Sequence, residues 1–357
     1  MTEQRSIPCL FMRAGTSRGP FFLASDLPDD QAELESALLR VMGSPDDRQI
    51  DGLGGATTVT SKVAIVSLSD HPDADLDYRF AQVEIDREAV DFSPTCGNML
   101  SGVAPFAIER GLVGAVDGCT ELVIRDVNTN SLIDVRVLTP GRRVRYDGNQ
   151  AIAGVPGTAA PIELRFRNIT GSATGALLPT GNSCDVFAGI EVTCVDVAMP
   201  LVIARAADMG FSGLEPVEQI HGDEAFMARM QKVRAAAGEA MGLGDVSETV
   251  IPKFALVAPA ANGGHFASRY LTPWQCHPSY AVSGSIAAAT SALVPGSVTS
   301  ELVTADDRLP TLVEIEHPSG SIEVGLRPDL DAEPMTIRSG GAVRTCRPLM
   351  DGHVLIP

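Results

Sequence analysis

Short apolar runs and turn residues alternate along most of the chain. The runs occupy Ile7–Met12, Lys62–Leu68, Arg79–Ile85, Glu121–Asp126, Leu132–Leu138, Ile162–Phe166, Glu191–Val195, Phe254–Ala258, Leu312–Glu316 and Ser321–Leu326. They alternate or are β-branched, and a period of two puts every second side chain on one face. Each therefore reads as a strand. Turn signals recur roughly every eight to fifteen positions, the spacing of sandwiches and barrels. The 34 glycines and 24 prolines supply those turns.

Four stretches read as helix: Gln31–Met42, Asn98–Arg110, Asp223–Met241 and Ser285–Val294. Gln31–Met42 follows an acidic turn at Asp29–Asp30, and Asp223–Met241 is amphipathic. The other two are apolar or small on every side, which predicts buried helices.

Those two buried stretches resemble each other. Thr95-Cys96-Gly97-Asn98-Met99 opens one and Val282-Ser283-Gly284-Ser285-Ile286 opens the other, 187 positions apart. Each has a small nucleophile-capable side chain, then glycine, then a polar capping residue, and each follows a β-rich stretch. The repeat predicts two similar domains, each a β-structure around a central helix, with both helix starts facing one cleft. Turn residues cluster at Pro179–Ser183. They suggest a domain over residues 1–183, joined by the last strand at 342–357, and a second over 184–341. A length of 357 residues fits two domains.

Composition narrows the partners. Apolar residues at 45% and charged residues at 20% are ordinary for a globular chain. The formal net charge of −18 repels nucleic acid and anionic lipid. Any small anionic substrate must then meet local cations. Only Lys62, Lys232 and Lys253 are lysines among the 27 cations. The seven cysteines, Cys9, Cys96, Cys119, Cys184, Cys194, Cys276 and Cys346, have no C-x-x-C spacing and read as reduced thiols. No signal peptide or membrane span is evident, so a cytoplasmic protein is expected. A homodimer is the base expectation for assembly.

Metal and nucleotide chemistry find no anchor. The six histidines are scattered and make no ligand-spaced pair. The loop Gly52–Thr58 is glycine-rich, yet no G-K-[ST] follows it. Gly15-Thr16-Ser17-Arg18-Gly19 fails in the same way. Both loops instead suggest backbone nests for a carboxylate. A hydrolase triad lacks its G-x-S-x-G elbow.

Two residues stand out as chemistry. Cys96 lies at an expected helix start, where the dipole favours a thiolate and free amides can hold an oxyanion. Cys9, Cys119, Cys194 and Cys346 sit in apolar runs and read as core. Lys62 enters an apolar strand from the glycine-rich loop, where desolvation would make it a usable general base. Cofactor-free acid–base chemistry on a small acid is what remains.

The ordered motifs Arg13–Gly19, Gly54-Gly55-Ala56-Thr57 through Lys62, Thr95–Asn98, Tyr280–Gly284, Glu316–Gly320 and Arg344–Arg347 resemble those of the PrpF family. The resemblance covers essentially the whole chain. It implies an α+β fold of two similar diaminopimelate-epimerase-like domains, each a β-barrel-like sheet around a central helix, with the active site in the cleft. It implies cofactor-independent isomerisation, with Lys62 and Cys96 carrying the proton transfer. Diaminopimelate epimerase uses one cysteine from each half, and the second matches Ser283 here, which favours Lys62 as the base.

The resemblance further implies a substrate among the unsaturated tricarboxylates. The opening Ile7–Arg13 and the length look most like the 4-oxalomesaconate isomerases or tautomerases of aromatic and lignin catabolism. The expected reaction is a 1,3-proton shift through a dienolate. Amides at Gly97–Asn98 and Gly284–Ser285 would stabilise it, with Ser283 beside them. Thr16, Ser17, Arg18, Gly54, Gly55, Ala56 and Thr57 would hold carboxylates. A 2-methylaconitate or aconitate cis–trans isomerase is the nearest alternative. A non-catalytic carboxylate-binding protein on the same fold is the alternative of another class, against which Lys62 and Cys96 argue. An amino-acid epimerase is weakened by Ser283.

Overall fold

A computed structural model describes residues 4–303, 306–333 and 335–357. The chain forms two compact units, one of residues up to Leu164 with Val343–Pro357, the other of Arg165–Ala342. The first begins with β1 (Arg5–Ala14), β2 (Ser17–Leu23), α1 (Gln31–Met42), β3 (Lys62–Leu68), β4 (Leu76–Val83) and β5 (Val90–Asp91). It continues through α2 (Gly97–Leu100), α3 (Val103–Glu109), β6 (Gly118–Asp126) and β7 (Ser131–Thr139) to β8 (Ile162–Arg167), within which the chain passes to the second unit. There follow β9 (Asp185–Phe187), β10 (Ile190–Asp196), β11 (Pro200–Arg205), α4 (Val217–His221), α5 (Glu224–Ala240), β12 (Lys253–Ala258) and β13 (Phe266–Leu271). Then come α6 (Val282–Ser291), β14 (Leu312–His317), β15 (Gly320–Asp329) and β16 (Thr336–Arg344), before β17 (Cys346–Ile356) closes the first unit.

The two units share one plan. In the first, β1/β2 is antiparallel, β2/β3 parallel, β3/β4 antiparallel, β4/β6 parallel and β6/β7 antiparallel. In the second, β10/β11, β11/β12, β12/β13, β13/β14 and β14/β15 repeat that series in the same order. Helices enter at matching points, after the second strand and after the fourth. The later one is the inner helix: α2 and α3 pack on β1, β2, β3 and β7, and α6 on β10, β11, β14 and β15. The earlier one packs outside, α1 on β4, β5 and β17, and α5 on β9 and β12. The repeat read from two helix starts is a duplicated domain architecture.

Local chemistry explains the helices. Asp30 caps α1 by accepting from the amides of Ala32 and Glu33, and Gly43 ends it at φ +77°. Its apolar side buries Leu34, Ala37, Leu38, Val41 and Met42 over Ile7, Cys9, Val63 and Ile65. α6 is buried along its whole length, as its small side chains require. Gly284 permits this: a Cβ there would come within 2.3 Å of the Tyr270 ring.

Some sequence-based bounds shift. The stretch 98–110 is two helices interrupted at Ser101–Gly102. Pro105 lacks the N–H that would bond the Ser101 carbonyl, so the helix cannot run through. The inner helix of the second unit begins at Val282, three residues before the expected start, and ends at Ser291. β4 runs from Leu76 to Val83 rather than from 79 to 85, because Glu84 already turns, its amide bonding the Ala89 carbonyl. The first domain passage lies at Leu164, not at the turn cluster near 183. Residues between are pinned inside the second unit. Thr170 pairs with Ile337, and the Asp196 carboxylate accepts from Ser172, Ala173 and Thr174.

Candidate active site

Lys62 is the first residue of β3 and is half-buried. Its Nζ donates to Gln82 Oε1 at 2.7 Å and stands 4.9 Å from the centre of the Phe80 ring. Register explains both contacts, since Gln82 lies opposite Lys62 on β4 and Phe80 opposite Ala64. The Gln82 amide then donates to the carbonyls of Ser61 and Thr58, tying the lysine to its loop. That loop is organised from beneath by buried Gln49. Its side chain donates to Ser44 and Ser61 and accepts from the Ala56 amide at 2.9 Å.

The two glycine-rich loops meet at this lysine. The Arg18 amide donates to the Val59 carbonyl, and Gly19 lies so near Lys62 that a Cβ would fall 1.9 Å from the Lys62 carbonyl oxygen. Gly55 lies against the Arg18 guanidinium, where a Cβ would be 2.8 Å from a terminal nitrogen. Gly15, at φ +54°, packs on Asn98, whose Oδ1 accepts the Thr16 amide.

This packing corrects the expected carboxylate nests. The amides of Thr16, Arg18, Gly54, Ala56 and Thr57 already have acceptors in Asn98, Val59, Met42, Gln49 and Thr60. The loops also offer a ligand side chains. The Arg18 guanidinium is exposed, and the buried hydroxyls of Thr16 and Ser17 have no hydrogen-bond partner among the described residues.

Cys96 is the N-cap of α2 and is half-buried. The first bond of that turn runs from the Leu100 amide to the Cys96 carbonyl, so the amides of Gly97, Asn98 and Met99 precede it. The turn is fastened from behind. Tyr78 donates to the Cys96 carbonyl at 3.2 Å, and Thr95 donates to the Asp126 carboxylate. Asn128 donates to the carbonyls of Phe80, Phe92 and Pro94. Burial pushes the Tyr78 phenol well above its ordinary value and Asp126 up to about 6, against the hydrogen bonds from Thr95 and the following amides. One strand, β4, thus holds Phe80 and Gln82 against Lys62 and Tyr78 against the Cys96 turn.

In the second unit Ser283 is buried in the first turn of α6, its hydroxyl donating to Met199 Sδ at 3.4 Å. Ser285 does not offer a free amide as expected. Its N–H bonds the Ala281 carbonyl and its hydroxyl bonds Val282, because the helix starts earlier. Among the other thiols, burial pushes Cys194 and Cys346 up to about 12 and Cys276 up to about 11. Cys119 is not core: it is half-buried and meets the Arg136 guanidinium at 3.1 Å. Among the described residues no three His, Cys, Asp or Glu side chains are grouped to hold a metal ion. Nor is any helix among them long and apolar enough to cross a membrane.

Sequence reasoning missed Gln49, Tyr78, Gln82, Asp126 and Asn128. Gln82 becomes visible only once strand register is known. The Asp126-Val127-Asn128 turn carried a weak signal, since Asp and Asn at a strand end favour side-chain-to-backbone bonds.

Comparison with known proteins agrees with this architecture. The chain is 45% identical over 351 residues to the (4E)-oxalomesaconate Delta-isomerase of Novosphingobium sp. (strain KA1), covering 98% of each. A crystal structure of methylitaconate-delta-isomerase matches 99% of this chain and 96% of its own, at 35% identity and a TM-score of 0.83. A hydroxyproline epimerase from Agrobacterium vitis shares the fold at 11% identity and a TM-score of 0.58, over 98% of this chain and 93% of its own. The family model for PrpF protein matches residues 4–357. With its duplicated epimerase-like fold, the chain is an isomerase and belongs to the PrpF family.

Proposed function

We propose that this isomerase acts without a cofactor on an unsaturated tricarboxylate, 4-oxalomesaconate, moving a proton across a 1,3-allylic system. The observation that carries the reading is the placement of Lys62. Its Nζ is fixed by Gln82 and Phe80 beside the Arg18 loop, on the strand pair that also fastens the Cys96 turn. Greater identity to the oxalomesaconate isomerase, 45%, than to the methylitaconate isomerase, 35%, supports the choice of substrate. On this reading the protein serves the cytoplasmic catabolism of aromatic and lignin-derived compounds.

Lys62, as the base, takes a proton from a carbon flanked by the double bond and a carboxylate. The electron pair moves into the π-system as a dienolate. The proton returns two carbons away from the Lys62 ammonium, or from the Cys96 thiol with the thiolate then reprotonated by the ammonium, so the enzyme ends unchanged. Arg18, Thr16 and Ser17 hold carboxylates, and the amides at the head of Gly97–Leu100 face the developing oxyanion. Positioned proton transfer contributes about 10²–10⁴-fold.

The test is proton NMR in deuterated water, with 4-oxalomesaconate and 2-methylaconitate in separate samples. A shifted double bond with deuterium at the new methylene, from oxalomesaconate alone, is expected. Turnover of methylaconitate alone overturns the substrate. A folded Lys62→Met variant with near-full turnover overturns the role of Lys62.

A further inference from the structure

The two repeats can be laid on each other strand by strand, β3 on β12 and β4 on β13, with the first turns of α2 and α6 following. Lys62 is the first residue of β3, and Lys253 is the first residue of β12. The strands read Lys-Val-Ala-Ile-Val and Lys-Phe-Ala-Leu-Val. The chain has only three lysines, and two of them stand at this one repeated position.

The surroundings repeat as well. Opposite Ala64 stands Phe80, and opposite the equivalent Ala255 stands Tyr270. Alternation along β12 sets Lys253 on the face of Ala255 and Tyr270, while Phe254 and Leu256 enter the core on the α5 side. The Tyr270 face is the inner-helix face. Its ring lies against Gly284, and its hydroxyl reaches Met199 Sδ at 3.3 Å, the same sulfur that Ser283 meets. Lys253, Tyr270 and Ser283 therefore occupy in the second unit the strand and helix positions that Lys62, Phe80 and Cys96 occupy in the first. The difference is chemical: serine stands where the first unit has the thiol.

We infer that Lys253 is a carboxylate-binding residue, the charged centre of an anion site at the head of α6 in the second unit. An ammonium held at this repeated position, on a chain of net charge −18, supplies the local cation that a multiply charged acid requires. The inference rests on the tricarboxylate reading above and adds a residue to it.

The experiment is calorimetric titration of the full-length protein with tricarballylate, a saturated tricarboxylate that cannot isomerise. Wild type, Lys253→Met, Lys253→Gln and Lys253→Arg are compared, each checked for fold by circular dichroism. The neutral variants are expected to bind about tenfold or more weakly, with KM raised and kcat within a few-fold of wild type, and Lys253→Arg to recover most of the affinity. Unchanged binding in a folded neutral variant overturns the assignment while leaving the tricarboxylate reading intact. A wild type that binds no tricarboxylate overturns both. A neutral variant that loses kcat at unchanged affinity also overturns it, in favour of proton transfer.

Discussion

At the scale of single residues, two side chains outside the sequence motifs set the behaviour of those within them. Gln82 is the one hydrogen-bond acceptor seen for Lys62 among the described residues, and it also anchors the preceding loop. A Gln82→Met substitution keeps the volume and removes both functions. We expect kcat to fall by about tenfold or more with melting little changed, measured by steady-state kinetics beside a thermal melt; unaltered kcat would show that Lys62 needs no such anchor.

Asp126 yields a pH prediction. Folded, it keeps its proton up to about pH 6, whereas an unfolded aspartate loses it near 4. Between those values the native state binds more protons, so stability falls as pH rises through the window. The stabilising contribution is full below about pH 4 and gone above about 6. A separation of that size corresponds to about 3 kcal/mol. Denaturant unfolding at pH 4.5 and 7 should show a smaller difference for Asp126→Asn than for wild type; equal differences would remove Asp126 from the account.

Elements were legible where local rules act alone. α1 falls where its acidic cap and apolar spacing place it, Gln31–Met42, and β3 likewise starts at Lys62. Strands that alternate poorly were not legible. β13 is buried at every position and β2 carries Gly19 and Pro20, so neither shows a period of two. Of the candidate site, Lys62, Cys96 and the Arg18 loop were readable because glycines, a helix start and a scarce residue type mark them. Their supports were not, because opposition across strands is a tertiary fact. Two substitutions test the element-level account. Asp30→Ala removes the α1 cap and should cost about 1 kcal/mol in denaturant unfolding. Gly284→Ala forces a methyl into the Tyr270 ring and should cost about 1–3 kcal/mol, seen as a lowered melting temperature. A Gly284→Ala protein as stable as wild type would mean the ring can move aside.

At the scale of the whole molecule, the duplicated plan was announced by only two short segments, and pairing carries it through five successive strand contacts in each unit. The same plan makes the first unit discontinuous in sequence. β17 pairs with β1 along nearly its whole length, from Arg5 opposite Ile356 to Ala14 opposite Cys346. During synthesis, therefore, the earlier unit waits for the later one. At about 5–20 residues per second, the ribosome needs roughly 10–40 s to deliver the 193 residues after Leu164. Through that interval β1 has β2 on one side and an open edge on the other. The second unit has all of its repeated strands before β17 emerges. The unit that carries Lys62 and Cys96 thus begins ahead of the second unit and is completed only after it, and in between the edge of β1 is open to chaperones that shield unpaired strands.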